Sequence, residues 1–235
     1  MRNHLVDPRG TWALTTASGG VNLFLGNNPE SDGLNRPPSF IRYGPTHEYK
    51  DFKEETERRL KKEITPQEVS RYWTMETLAW FKHEPMKAWK LLMKKFCLFW
   101  NHREPPDNFP SAVFQQFTGI GAVPLVGWGV VSSLGFAGMI WSFRRFKLFW
   151  LLHAYVLTYV GVVVGFYILS RYRYSVVVGL IPFAAFALTQ VYEGLRARKW
   201  NQIALLSILI SVCIGFSHLP LIGDEDAAVS YYNTA

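Results

Sequence analysis

Four long apolar stretches occupy most of the second half of this chain, and none of them contains Lys, Arg, Asp or Glu. They cover residues 121–141, 148–169, 174–192 and 202–222. Each is close to the roughly 20 residues that an α-helix needs to cross the hydrocarbon core of a bilayer. The sequence therefore predicts a mainly α-helical, polytopic membrane protein with four transmembrane helices in residues 111–222.

The charges between these stretches predict how the helices are oriented. Two connections carry three basic residues each: Arg144, Arg145 and Lys147 in one, and Arg196, Arg198 and Lys199 in the other. Short loops rich in Lys and Arg stay in the cytoplasm. We therefore expect these two loops inside, and residues 1–110, the 170–174 loop and the acidic tail 223–235 on the extracytoplasmic side.

This topology places a long polar region outside, although residues 1–7 lack the apolar core of a signal peptide. Two explanations are open: the topology is inverted, or the chain is the downstream part of a longer membrane protein. We expect the second.

Composition and motifs exclude several classes of function. The net charge of +7 is modest, and no basic helix or aromatic platform indicates a nucleic-acid partner. The six histidines are scattered without metal-ligand spacing, so we predict no metal site within this chain. Cys97 and Cys213 do not suggest a disulfide framework. Familiar catalytic motifs for nucleotide, hydrolase and zinc chemistry are also missing.

Residues 1–110 are expected to be α-rich with one small β element. Residues 11–25 are predicted to be extended, because Val21, Leu23 and Leu25 alternate with Asn22 and Phe24. Flanking Gly and Asn residues signal turns there. Such a loop is either a plain hairpin or a backbone-rich segment that approaches a polar ligand, and the sequence leaves both interpretations open.

Three helices are predicted between residues 48 and 100. The mixed charges of residues 48–64 favour a solvated helix with ion pairs four residues apart. Thr65, Pro66 and Glu68 form the signature of a capped helix start, and a further helix should begin near Pro85. Its apolar and lysine-bearing faces suggest a helix lying in the membrane interface, or one packed on the domain core. Lysines 87, 90, 94 and 95 would then lie near lipid phosphates.

The 170–174 loop, Ser-Arg-Tyr-Arg-Tyr, places two guanidinium groups at the expected outer membrane surface. Arg171 and Arg173 could bind a lipid phosphate through bidentate hydrogen bonds. The alternative is a basic and aromatic anchor of the kind found at many membrane interfaces. The residues alone do not decide between these two interpretations.

Several segments together resemble one family. They are Arg2-Asn3, SGGVNLFLGNNPESDG (18–33), HEPMKAWKLLMKKFCLFWNHREPPDN (83–108) and SRYRYSVVVGLIPFAA (170–185). The chain resembles the C-terminal half of a GT-C glycosyltransferase of the dolichyl-phosphate-mannose-protein mannosyltransferase-like group, which includes the aminoarabinose transferases of lipid A. The resemblance covers nearly the whole chain.

The resemblance implies a polytopic enzyme that moves a sugar from a polyprenyl-phosphate donor to an acceptor on the outer membrane face. It implies lipid-phosphate contacts from Arg171 and Arg173, and a substrate cleft lined by Gly20, Asn22, Gly26, Asn27 and Asn28. The family's catalytic carboxylates lie in an upstream outer loop that has no counterpart here, so the catalytic residues are not assigned.

Two functions remain open from the sequence. The first is the C-terminal portion of such a glycosyltransferase, partnered by membrane lipid and an upstream catalytic segment, with a divalent metal in the complete enzyme left open. The second is a non-catalytic accessory or lipid-phosphate-binding membrane protein. The resemblance implies a bacterial inner membrane as the location.

Overall fold

The computed structural model describes residues 18–42, 45–105 and 127–223, and these residues are mainly helical with no β-strand. They form two compact units. The first contains residues 18–94 together with 165–167, and the second contains residues 95–164 and 168–223. Several predictions lie outside the described residues: the Arg2-Asn3 motif, extended residues 11–17, residues 121–126 of the first apolar stretch and residues 224–235 of the acidic tail.

The first unit begins with a helix where a β element was predicted. Helix α1 spans Gly19–Gly26, so the predicted small β element is wrong for these residues. The same residues also fit a helical period, because the buried apolar positions Val21, Phe24 and Leu25 are spaced three and four residues apart. Gly20 lets α1 approach α3 closely: its N–H donates to Ser70 Oγ at 2.9 Å. Tertiary packing therefore decides the structure of this short segment.

The other helices of the first unit follow the local sequence signals. Helix α2 spans Pro45–Leu60, α3 spans Pro66–His83 and α4 spans Pro85–Trp100. Residues 95–100 of α4 belong to the second unit. The predicted capping box is confirmed, because Thr65 and Glu68 bond reciprocally at the start of α3. The predicted Glu55–Arg59 pair is present at 2.7 Å. Helix α4 begins at Pro85, as expected.

An aromatic cluster forms the core of the first unit. Trp73 is fully buried and its ring lies 4.5 to 5.4 Å from the rings of Phe24, Phe40 and Phe52. Its indole N–H donates to Thr56 Oγ1 at 2.8 Å, so the buried polar atom is satisfied. This cluster joins α1, α2 and α3 through a single side chain.

Lowering the pH should decrease the stability of the first unit through Asp51, a buried carboxylate in the second turn of α2. Side-chain and backbone hydrogen bonds from Arg42 lower the pKa of Asp51 to about 2. A carboxyl with a lowered folded-state pKa stabilises the fold above its unfolded pKa of roughly 3.9, and the stabilisation is lost as pH falls towards 2. We expect Asp51→Asn to lower the thermal midpoint at pH 7, with a difference from wild type that shrinks between pH 4 and 2.

The measurement is thermal unfolding of the full chain in detergent micelles, followed by near-ultraviolet circular dichroism across this pH range. Glu54→Gln is the matched control, because Glu54 lies on the same helix but is exposed and 3.7 Å from Lys50. A pH-independent difference between Asp51→Asn and wild type would contradict the account.

The second unit is built from apolar helices. Helix α5 spans Trp128–Ser142, and a short 3-10 helix, Phe143–Arg145, connects it to α6, Phe146–Gly165. The short helix α7 spans Ser170–Tyr174, followed by α8 at Val177–Arg196 and α9 at Trp200–Ser217. By length and composition, three helical runs of the described chain could cross a membrane: Trp128–Gly165, Val177–Arg196 and Trp200–Ser217. These runs indicate an integral membrane protein.

The run from Trp128 to Gly165 bends at its centre. His153 Nε2 lies 3.1 Å from Met139 O and 3.2 Å from Ser142 Oγ. In a straight helix, residues 139 and 153 would be roughly 21 Å apart along the axis. The chain therefore folds back at the 3-10 turn, and His153 is a packed polar residue that joins α5 to α6.

Glycines bring α5 and α8 into close contact. A Cβ at Gly138 would lie 1.9 Å from Phe183 O, and a Cβ at Gly135 would lie 2.9 Å from Leu180 Cβ. Phe183, Leu180 and Ala187 are fully buried. Small residues that let backbones approach are typical of helix pairs in membranes. This contact fixes the pair of helices whose ends carry the sites described below.

Candidate functional site: the histidine end of the membrane helices

The polar residues of the second unit gather at two ends of its helices. One group, here called the histidine end, comprises residues 101–105, the start of α5, helix α7 and residues 214–222. The backbone N–H of His102 donates to Ser217 O at 2.8 Å, and Ser133 Oγ lies 3.0 Å from Ser217 Oγ. The other group, here called the arginine end, comprises residues 143–147 and 190–202.

Arg173 organises the histidine end from within. Its guanidinium donates to Asn101 O at 2.7 Å, Arg103 O at 3.0 Å and Leu98 O at 3.2 Å. Carbonyls at the end of α4 have no partners within the helix, and Arg173 supplies donors for them. The guanidinium also lies 5.0 Å from the ring of Trp128. Burial lowers the pKa of Arg173 to about 10, so the side chain remains a cation at neutral pH.

Tyr174 and Glu104 form a second link at this end. The Tyr174 hydroxyl donates to Glu104 Oε1. Burial and this hydrogen bond raise the pKa of Tyr174 to about 12, so the phenol stays protonated and keeps donating. Helix α7 therefore holds residues 101–105 through both Arg173 and Tyr174.

Two histidines stack at the mouth of the site. The rings of His102 and His218 lie 4.1 Å apart and are nearly parallel. His102 Nδ1 lies 3.1 Å from Ser217 O, and His218 Nδ1 lies 2.8 Å from Ile214 O. A carbonyl accepts hydrogen bonds only, so each Nδ1 carries a proton. When such a ring is neutral, its Nε2 is left as a hydrogen-bond acceptor.

These residues line a cleft of about 540 Å³. Its polar side carries His102, Glu104, His218 and Ser133, and its apolar side carries Trp128, Val130, Leu134 and Ile214. Pockets of this size commonly hold small-molecule ligands that have both polar and apolar parts. The lining therefore offers polar side chains on one side and apolar contacts on the other.

The predicted cleft residues of the first unit lie elsewhere, around helix α1. Gly20, Gly26, Asn27 and Asn28 are buried, and Asn22 is partly exposed. Asn27 Nδ2 donates to Leu23 O at 2.9 Å, and Asn28 Nδ2 donates to Phe24 O at 2.9 Å. Their described contacts thus stabilise the C-terminal end of α1. Their assignment to a substrate cleft stays a prediction.

The two predicted lipid-phosphate arginines differ in environment. Arg171 is exposed and its guanidinium lies 5.3 Å from the ring of Tyr172. Arg173 is 1% exposed and donates to the carbonyls of α4. Of the two arginines, Arg171 is therefore the exposed one, and Arg173 is engaged by backbone carbonyls.

The lysines of α4 also divide into two groups. Lysines 87, 90 and 94 are exposed, and the interfacial placement of the helix stays a prediction. Lys95 is fully buried, and burial lowers its pKa to about 7. The prediction that Lys95 lies near lipid phosphates is wrong, because its position faces the protein interior next to the buried Leu98 and Phe99.

His102 and His218 were not singled out from the sequence as site residues, since they are far apart in the chain and share no motif. Among the described residues, no three His, Cys, Asp or Glu side chains come together as a metal-binding group.

Comparisons with known proteins returned no match: none was found among protein-family models, curated proteins or solved structures.

Proposed function

We propose that this chain contributes the lipid-facing part of a membrane glycosyltransferase that uses a polyprenyl-phosphate sugar donor. The observation that supports it best is the two-sided cleft at the histidine end. Such a donor has a polar sugar phosphate and a long apolar chain, and the cleft offers His102, Glu104 and His218 opposite Trp128 and Ile214. The family resemblance of the sequence points in the same direction.

The proposal includes four spanning helices, α5, α6, α8 and α9, in a bacterial inner membrane. The bend at residues 143–145 supports counting α5 and α6 separately, since α5 and α6 then cross in opposite directions. Arg144, Arg145 and Lys147 lie at the same end as Arg196 and Lys199, which favours that end as the cytoplasmic one. The histidine end then faces outward, where a sugar would be transferred.

The histidine pair offers a base for this transfer. An acceptor hydroxyl attacks the anomeric carbon, a new carbon–oxygen bond forms, and the bond from that carbon to the phosphate oxygen breaks. The hydroxyl proton passes to an unprotonated Nε2 of His102 or His218, and the polyprenyl phosphate leaves as an anion. Arg171 is exposed on α7 and can contact that phosphate. Gly20, Asn22, Gly26, Asn27 and Asn28 keep their proposed role as substrate-cleft residues.

Filling the cleft should abolish donor-lipid binding. Val130 lines the cleft and is 52% exposed, so Val130→Trp places an indole in the cleft without burying it in the fold. We expect polyprenyl phosphate to raise the thermal midpoint of the wild-type protein in lipid nanodiscs. In Val130→Trp we expect the affinity to fall about tenfold or more, equivalent to roughly 1.4 kcal/mol.

Val178→Trp is the matched control, because Val178 is 74% exposed on α8 and lies away from the cleft. A polyprenol without phosphate tests the need for the headgroup. Equal binding to Val130→Trp, Val178→Trp and wild type would reject the cleft as the donor site.

The alternative is a non-catalytic accessory protein that binds lipid phosphate. One observation favours it: Glu104 is the one carboxylate that lines the described cleft, and the Tyr174 hydroxyl already bonds to it. Glycosyl transfer often uses a carboxylate, and the described lining of the cleft supplies none besides Glu104. Donor binding without sugar transfer, measured with a radiolabelled polyprenyl-phosphate sugar and membrane acceptors, would select the alternative.

A further inference from the structure

A second cavity, of about 500 Å³, opens at the arginine end of the second unit. The last turn of α8, the first turn of α9 and the 3-10 turn surround it. Its charged and amide lining residues are Arg145, Gln190, Glu193, Arg196, Lys199 and Gln202. This volume suits a small headgroup rather than a bare ion.

The described residues do not neutralise the cations of this cavity. Arg145, Arg196 and Lys199 are exposed, and none of them forms an ion pair with another described residue. The single carboxylate of the lining, Glu193, accepts a hydrogen bond from Gln190 Nε2 at 2.8 Å. The cavity therefore carries a net positive charge with polar amides at its wall.

The backbone adds to this positive potential. Lys199 is the N-cap of α9, whose 18 residues direct a positive dipole end towards the cavity. The turn that precedes α9 is tight: Arg198 adopts a left-handed conformation with φ of 53°, and Lys199 N donates to Gly194 O at 2.9 Å. The turn thus holds the cations at the rim of the cavity.

Exposed aromatic side chains locate this cavity at the depth of lipid headgroups. Tyr192, near the end of α8, and Trp200, at the start of α9, are each 64% exposed. Tyr and Trp are enriched where membrane helices meet the headgroup layer. A headgroup phosphate of the surrounding lipid therefore lies at the same level as Arg145 and Arg196.

We propose that the cavity at the arginine end binds the phosphate of an anionic headgroup, with Arg145, Arg196 and Lys199 as its donors. Arginine forks match phosphate oxygens geometrically, and basic pockets between membrane helices hold anionic lipid headgroups. The same chemistry could be supplied by a soluble phosphate. This site is separate from the histidine-end cleft and does not rest on the proposed glycosyl transfer.

The test uses the full chain in nanodiscs of phosphatidylcholine, with and without phosphatidylglycerol. Native mass spectrometry counts phosphatidylglycerol molecules that stay bound after release from the disc. We expect wild type to retain the anionic lipid. We expect the affinity of Arg145→Gln/Arg196→Gln for this lipid to be lower by a factor of about ten or more. Both arginines are exposed, so the double variant should fold; size-exclusion chromatography checks this.

The matched control is Arg144→Gln/Lys147→Gln, which removes the same charge at the same end. Arg144 lies over the ring of Trp141 at 3.9 Å, and neither residue lines the cavity. This control should keep wild-type binding. Equal losses in the two double variants would show diffuse attraction rather than a site, and would overturn the proposal.

A second arm separates the two sources of phosphate. Inorganic phosphate is added to the protein in phosphatidylcholine discs, and the thermal midpoint is recorded for wild type and both double variants. If phosphate raises the thermal midpoint of wild type and of the control but not of Arg145→Gln/Arg196→Gln, the site binds soluble phosphate. If phosphate does not raise the midpoint and wild type still retains phosphatidylglycerol, the site binds lipid. Binding of neither compound to wild type would overturn the proposal.

Discussion

Arg173→Ala should largely prevent the protein from folding, even though position 173 lies in a short surface helix. The side chain is 1% exposed and its guanidinium donates to backbone carbonyls of Leu98, Asn101 and Arg103. Alanine removes the guanidinium donors from all three carbonyls, leaves Leu98 O with the Asn101 N–H as its described partner, and opens a cavity beneath Trp128. Each hydrogen bond from a charged donor contributes about 1.5–3 kcal/mol. Contributions within one network do not add in full, so we expect a total loss of about 3–5 kcal/mol.

The measurement is the amount of monodisperse protein extracted from membranes, together with its thermal midpoint in detergent. Arg171→Ala is the matched control, because it removes the same side chain from the same helix at an exposed position. We expect Arg171→Ala to fold normally. Similar yields and midpoints for the two variants would contradict the structural role assigned to Arg173. A weaker donor affinity in a folded Arg171→Ala protein would support its proposed phosphate contact.

Gly138→Ala should separate α5 from α8. The added methyl group would lie 1.9 Å from Phe183 O, which belongs to the backbone and cannot rotate away. The two helices must move apart, and the contacts of Phe183 and Ala187 are lost with them. Overpacking costs about 1–3 kcal/mol in well-packed sites, and we expect a loss near the upper end of this range.

Gly161→Ala is the control for helix propensity. Gly161 lies in α6, and a Cβ there meets nothing within 4 Å, so alanine should be neutral or stabilise by up to about 1 kcal/mol. The measurement is the thermal midpoint of both variants in the same detergent. A stable Gly138→Ala protein would show that the close approach of α5 and α8 does not exist.

Strong local signals predicted several helices correctly. Thr65 and Glu68 define the start of α3 through contacts between neighbours in the chain, so no knowledge of the fold was needed. The long apolar runs depend on composition alone, and three helical runs are long and apolar enough to span a membrane. The predicted separation of the first two spans rested on Arg144 and Arg145, which lie at the bend.

Short or buried segments could not be predicted in the same way. Residues 19–26 contain both a strand-like alternation and a helical period, and the contact of Gly20 with Ser70 selects the helix. Lys95 belongs to a helix that looks amphipathic, but the sequence does not show that its side chain is buried.

The candidate site depends almost wholly on tertiary structure. The sequence identified the 170–174 loop. The carbonyls that accept hydrogen bonds from Arg173 belong to residues at the C-terminal end of α4, which are far from this loop in the sequence. His102 and His218 meet only because residues 101–105 bond to the end of α9. No local pattern links these two histidines, so the cleft between polar and apolar walls could not be inferred from spacing.

The central claim is that a polyprenyl-phosphate sugar binds in the cleft at the histidine end. The most direct test is photo-crosslinking of the nanodisc-embedded protein with such a donor carrying a diazirine on its first isoprene unit, followed by peptide mapping. The account predicts saturable labelling of residues 101–105, 127–134 or 214–218, displaced by polyprenyl phosphate and lost in Val130→Trp. Absent or undisplaced labelling, or labelling confined to residues 190–202 at the arginine end, would contradict it.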